Sequence, residues 1–184
     1  MIVSLVPHPD HPPRAIRAVE VALGRSVGDA LLLSYRVAPA ASLLLPDHGG
    51  VRMDGLWRST CFELFVKEFR AAAYREFNFA PTGAWAAYGF DDWRTGMTPL
   101  EIEAPHLVDC RLDDRAGDYR QRYELDVVLA AHSLPARPGS ASVTAVIEEN
   151  DGTKSYWALR HPPGKPDFHH PDCFAIELPA PDAP

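Results

Sequence analysis

The sequence predicts an all-β protein, an antiparallel β-sandwich of jelly-roll or Greek-key type. Hydrophobicity alternates with a period of two in about ten short segments, and no segment carries an apolar helical stripe of three turns. Eighteen prolines in 184 residues also disfavour long helices. Because many short strands follow one another without intervening helices, a sandwich is favoured over an α/β fold.

The predicted strands are RAVEVAL, ALLLSYRV, TCFELFVKE, YREFNF, AWAAYGF, HLVDCRL, YRQRYELDVVL, SVTAVIEE, SYWALR and DCFAIEL. In TCFELFVKE the apolar residues at 62, 64 and 66 share one face, and Glu63 lies on the other. In YREFNF, Glu76 and Asn78 likewise lie opposite two phenylalanines. These polar side chains indicate either a solvated sheet face or the floor of a polar groove. Residues 127–134 can hold one helical turn, which Pro135 would end.

The composition indicates a globular chain, and we expect one domain over residues 1–184. The net charge is −7 and no block of one sign occurs, so neither nucleic acid nor a membrane surface is an expected partner. No segment approaches the ~20 apolar residues of a membrane helix, and no export signal is evident, so we predict a cytoplasmic location. The three cysteines lack CxxC spacing and are predicted to be reduced core residues.

The known short catalytic motifs do not occur in the chain. Nucleophile elbows, phosphate-binding loops and dinucleotide fingerprints are absent, so we predict a protein that is not an enzyme. His161, His169 and His170 of RHPPGKPDFHHPD could supply three zinc ligands. However, adjacent residues of an extended chain point to opposite sides, so no metal site is predicted. The prolines instead indicate a stiff connection between two strands, with its histidines at the rim of a ligand site.

Aromatic side chains beside polar ones indicate a sugar site, because a sugar presents C–H groups to ring faces and hydroxyls to hydrogen-bonding groups. Trp57 lies in a predicted loop beside Arg58, which can stack on an aromatic ring or pair with a carboxylate. Strand alternation does not decide which residue provides the second platform, the aromatic ring on which a sugar face would pack. If Trp157 faces inward, Tyr156 and Arg160 face outward and would carry the ligand instead.

Four segments in this order resemble the DOMON-like superfamily, which includes the family-nine carbohydrate-binding modules: DGLWRSTCFELFV, YREFNFAPTGAWAAYGF, YELDVVLAAHSLP and SVTAVIEENDGTKSYWAL. The resemblance extends from Asp54 towards the C-terminus. It implies a β-sandwich that binds a ligand on one sheet or at its edge without performing chemistry. Ligands across the superfamily are sugars and haem, and sugar-binding members hold a pyranose ring between tryptophans.

The resemblance implies Trp57 and Trp157 as platforms, Glu63 as a hydroxyl acceptor and Asn150 as an amide contact. The full predicted ligand site comprises Trp57, Arg58, Glu63, Asn78, Tyr88, Asn150, Tyr156, Trp157, Arg160 and His161. The expected ligand is a saccharide or sugar-containing metabolite, and the alternative is a module that binds a protein partner. No cofactor is expected. The alternatives here are a structural Ca²⁺, or a haem held by Met53 or Met97 with His161 or His48.

Overall fold

A computed structural model describes residues 1–26, 28–46, 49–81, 83–113, 122–136 and 139–178, with the backbone alone at 108–113. Within these residues there are twelve strands and three short 3₁₀ helices, and no helix has the length and apolarity to cross a membrane. The strands are β1 (Ile2–Pro7), β2 (Ala18–Arg25), β3 (Leu31–Ala38), β4 (Cys61–Glu68), β5 (Tyr74–Phe79), β6 (Trp85–Phe90), β7 (Thr98–Pro99), β8 (His106–Asp113), β9 (Arg122–Leu129), β10 (Gly139–Glu148), β11 (Lys154–Ala158) and β12 (Ile176–Leu178). The 3₁₀ helices span Leu56–Arg58, Ala131–Ser133 and Pro171–Cys173.

The strands form one curled antiparallel sheet in the order β7-β6-β5-β4-β10-β11-β1-β2-β3-β9-β8, and β12 pairs with the start of β10. Strand β1 joins two halves of this sheet, because residues 2–5 pair with β2 while residues 6–7 pair with β11. The prediction of an all-β antiparallel chain with almost no helix is therefore confirmed.

The two halves of the sheet face each other across a shared apolar core. Phe62 of β4 lies 5.0 Å from the ring of Tyr35 on β3 and stacks on Tyr123 of β9 at 5.9 Å between ring centroids. The Tyr35 hydroxyl donates to the backbone carbonyl of Glu63 at 2.7 Å, so even its polar atom is satisfied within the core. Alternation predicted the inner face of β4 correctly, since residues 62, 64 and 66 are all buried in this core.

Three segments differ from the sequence prediction. Strand β1 was missed because only Leu5 is buried along it, so its sequence shows no inner face. The predicted strand DCFAIEL shortens to β12, because Pro171 begins a 3₁₀ helix and the imidazole of His170 accepts a hydrogen bond from Asp172 N. The strand predicted from Tyr119 is seen from Arg122 onward, and residues 114–121 lie outside the described ones. The single helical turn predicted near Leu134 is present at 131–133.

Candidate functional site

The outer face of β4 and β5 is covered by two loops, residues 91–97 and 159–175. Glu63, Glu76 and Asn78 on this face are only 2%, 5% and 0% exposed. The ring of His169, from the second loop, lies 5.1 Å from that of Phe65 on β4. Of the two interpretations of this polar face, the solvated one is wrong, because the loops exclude water from it.

Between this face and the loops lies a cleft of about 360 Å³, a size within the range of small-ligand pockets. Its floor is formed by the outer face of β4, β5 and β10, and its walls are largely aromatic. The lining side chains are Trp57, Glu63, Glu76, Phe90, Arg94, Met97, Val146, Tyr156, Pro166, Phe168 and His169. The cleft therefore combines four aromatic rings with two acids, one cation and one imidazole.

Two glutamates form the acidic floor of the cleft. Glu63 pairs with Asn78 and Glu76 pairs with Phe65 in the β4–β5 register, so the two carboxyl groups are diagonal neighbours on one face. Thr144 Oγ1 donates to Glu63 Oε2 at 3.0 Å, and Asn78 Nδ2 donates to Glu76 Oε1 at 2.7 Å. Each carboxyl group thus has one oxygen fixed by a neutral donor.

Burial raises the pKa of both carboxyl groups, since charged groups lose hydration inside the protein. The neighbouring Glu76 raises the pKa of Glu63 further, while the hydrogen bonds from Thr144 and Asn78 and the charge of Arg94 act in the opposite direction. The acid pair therefore keeps a proton at a pH where exposed glutamates are fully ionised.

A hydrogen-bond chain fixes the imidazole of His169 beside the acids. The Arg94 backbone N–H donates to Tyr74 Oη at 3.2 Å, and the Tyr74 hydroxyl forms a hydrogen bond of 2.7 Å with His169 Nδ1. His169 Nε2 lies 3.8 Å from Glu76 Oε2. Burial first, and the Arg94 charge second, lower the pKa of His169 to about 4.

We expect His169 to remain neutral throughout the neutral and mildly acidic range. In a pH titration followed by NMR, its imidazole resonances should remain those of a neutral ring from pH 8 to about 5, because charging would require a proton on the buried ring. Replacing Tyr74 with Phe removes the hydrogen-bond partner of Nδ1 and should shift these resonances at constant pH. A His169 titration midpoint near 6.5 would contradict the described environment.

Asp167 holds the two loops together over the cleft. Its Oδ1 accepts from Arg94 Nε at 3.0 Å, from Arg94 Nη2 at 2.7 Å and from the His169 N–H at 3.1 Å, while Oδ2 accepts from Trp93 Nε1 at 3.1 Å. Burial alone would raise the pKa of Asp167, but the hydrogen bonds and charge of Arg94 lower it overall. An ionised Asp167 therefore compensates the charge of Arg94.

Three of the predicted site residues line the cleft: Trp57, Glu63 and Tyr156. The Trp57 indole is 37% exposed, and its edge meets the ring of Tyr88 at 6.0 Å. Asn78 and Tyr88 lie beneath the lining, where Asn78 bonds Glu76 and the Tyr88 hydroxyl donates to Asp54 Oδ1 at 2.6 Å. These two residues support the site from below.

The prediction of Trp157 as a platform is corrected, because its side chain lies inside the core. It is 2% exposed, and its indole N–H donates to Ser155 Oγ at 2.9 Å. Successive side chains of β11 point to opposite faces, so Tyr156 faces the cleft instead. This is the alternative that alternation had left open.

The fold does not bring four other predicted residues to this cleft, namely Arg58, Asn150, Arg160 and His161. Asn150 lies in the turn after β10, where its amide donates to the Ala41 carbonyl at 3.4 Å. The imidazole of His161 instead bonds the Val6 carbonyl at 2.9 Å. Met97 lines the cleft but His161 does not, so these two side chains do not face one ligand there. The other candidate, His48, lies outside the described residues.

Sequence reasoning considered His169 as a rim residue and Met97 as a haem ligand, and it missed the other lining residues, which are Phe90, Arg94, Val146, Pro166 and Phe168. The expectation that His169 and His170 point apart is met, since His169 packs on Tyr74 while His170 contacts Trp93. The described part of the chain contains no group of three His, Cys, Asp or Glu side chains that could hold a metal ion. The histidine-rich composition of the second loop was the available signal, but it did not show which ring faces the sheet.

At the level of class, the chain is an antiparallel all-β protein with an acidic, aromatic-walled cleft on one sheet face. No family model matches the chain, and no curated protein matches it. Its fold is similar to that of a solved structure from Bacteroides uniformis ATCC 8492, described as a "putative carbohydrate-binding protein". The TM-score is 0.66 at 16% identity, over 95% of this chain and 84% of that chain. At this identity, the similarity shows the fold alone.

Proposed function

We propose that this chain is a non-catalytic, DOMON-like β-sandwich module that binds a saccharide or a sugar-containing metabolite in the cleft. The observation that carries this proposal is the convergence of four aromatic rings and two buried carboxyl groups on one cleft. Sugar recognition needs both kinds of group, because the C–H faces of a pyranose pack on rings while its hydroxyls bond polar side chains. The description of the Bacteroides uniformis protein supports the same ligand class.

In the proposed complex, Trp57 at the rim and Tyr156 on the floor contact the faces of the sugar. The acids below contact its hydroxyls. A protonated carboxyl group donates one hydrogen bond and accepts others, as a hydroxyl does, so a proton-retaining acid pair suits a polyol better than two ionised acids would. We further propose that the module acts in the cytoplasm on a small molecule, and that neither nucleic acid nor a membrane is its partner.

The proposal is tested by isothermal titration calorimetry against a panel of monosaccharides and oligosaccharides. Replacing Trp57 with Ala should weaken binding about tenfold, since one ring face contributes roughly 1–2 kcal/mol. Phe69→Ala is the matched control, because Phe69 is 49% exposed after β4 and does not line the cleft.

Binding of saccharides by the wild-type chain and by Phe69→Ala, with loss in Trp57→Ala, supports the site. Equal affinities in all three proteins would place the sugar elsewhere. A panel without any binding saccharide would refute the proposed function.

A further inference from the structure

The acid pair of the cleft has oxygens that no donor in the described part of the chain satisfies. Glu63 Oε2 is bonded by Thr144, but the described side chains and backbone donate no hydrogen bond to Glu63 Oε1. Glu76 Oε1 is bonded by Asn78, and its Oε2 lies 3.8 Å from His169 Nε2, which is too far for a hydrogen bond. Both residues line the cleft, so each offers an acceptor to a bound molecule.

The residues that the structure describes also give the pair no counterion of its own. Among the described residues that line the cleft, Arg94 is the cation, and Asp167 binds its guanidinium through two nitrogens. Burial and the charge of Arg94 lower the pKa of His169 to about 4, so its ring does not supply a positive charge at neutral pH. Two acids that are at least nine-tenths buried are thus left without a positive partner, an arrangement that costs free energy unless a proton or an external cation compensates it.

We infer that the ligand carries a protonated primary amine, which sits between the free oxygens of Glu63 and Glu76. On the saccharide function proposed above, on which this inference rests, the ligand is an amino sugar. An ammonium group has three donors, enough for both free oxygens and one further contact. Aromatic walls favour such a ligand too, because the ring faces of Tyr156 and Phe90 attract a nearby cation.

Amine binding should release protons from the acid pair, because the ammonium group replaces the proton that the empty site retains. The titratable and charged groups that interact with the pair from the surrounding elements are Cys61, Tyr74, Tyr88, Arg94 and His169, while Asp167 acts through its ion pair with Arg94. From the core side, the Tyr35 hydroxyl bonds the Glu63 carbonyl. Affinity for the amine should therefore rise with pH below neutrality, by up to about tenfold per pH unit for each proton released.

The test compares glucosamine, glucose and N-acetylglucosamine by calorimetry at pH 5 and pH 7, each in two buffers of different ionisation enthalpy. Glucosamine should bind about tenfold or more tightly than the two neutral sugars at pH 7, with measurable proton release. This preference should shrink at pH 5. Glu63→Gln and Glu76→Gln should each reduce the preference for glucosamine, so that its affinity approaches that of the neutral sugars. Glu101→Gln, whose wild-type side chain is 94% exposed, should retain it.

The outcomes separate the two proposals. Equal affinity for glucosamine and glucose, or a preference that survives both Glu→Gln changes, overturns the amine inference and leaves the saccharide site intact. Binding of ethanolamine, with no binding of any sugar, supports the ammonium site and overturns the saccharide function.

Discussion

Replacing Trp157 with Ala is expected to lower the free energy of unfolding by about 3–5 kcal/mol. The indole is 2% exposed and lies within the core shared by the two halves of the sheet. Its backbone pairs with Pro7 of β1 and Ala145 of β10, so the cavity would open beside the strand that joins the halves. Removing the indole also leaves Ser155 Oγ, which is buried, without its donor.

The measurement is urea unfolding followed by circular dichroism, with Trp57→Ala as the matched control. The Trp57 side chain is 37% exposed at the rim of the cleft, so its removal should cost about 1 kcal/mol or less. Trp157→Phe should recover part of the loss, because a smaller aromatic ring refills much of the cavity. Equal unfolding free energies for the two alanine variants would show that Trp157 is not a core residue.

The contrast between these tryptophans shows how far alternation determines the fold. Strand alternation is a local property of the sequence, so it located the buried face of β4. It also showed that Trp157 and Tyr156 lie on opposite faces of β11. It did not decide which of the two faces the core, because both are large and aromatic. Only the packing of β11 between β1 and β10 fixes that choice.

The cleft itself was only partly predictable. Glu63, Glu76 and Asn78 were placed on one sheet face, but their pattern is the same whether water or protein covers that face. The cover comes from contacts between loops distant in the chain, such as Arg94 with Asp167 at a separation of 73 residues. Such a contact leaves no periodic signal. Asn150 shows the opposite case, since the resemblance implied a ligand contact for a residue that does not line the cleft and whose amide bonds the Ala41 carbonyl.

Raising the pH from 7 to 8.5 is expected to lower the free energy of unfolding by about 1–2 kcal/mol, because of the acid pair. Burial raises the pKa of Glu63 and of Glu76 above the value of an exposed glutamate. In the unfolded chain both are ionised throughout this range, whereas the native protein still retains protons. Each retained proton makes stability fall by about 1.4 kcal/mol per pH unit. His169 has the opposite effect on the free energy of unfolding, but its low pKa confines that effect to more acidic solutions.

The measurement is denaturant unfolding at several pH values in wild type, Glu63→Gln and Glu76→Gln. A glutamine is nearly isosteric with a protonated glutamate and cannot ionise. Each change should therefore reduce the fall of the unfolding free energy with pH. Glu101→Gln, at an exposed position, should leave the fall of the unfolding free energy with pH as it is in wild type. A wild-type stability that rises from pH 7 to 8.5, or a slope that neither cleft variant alters, would show that the pair is ionised in the empty protein. In that case a cation must already neutralise it, and amine binding would release no proton.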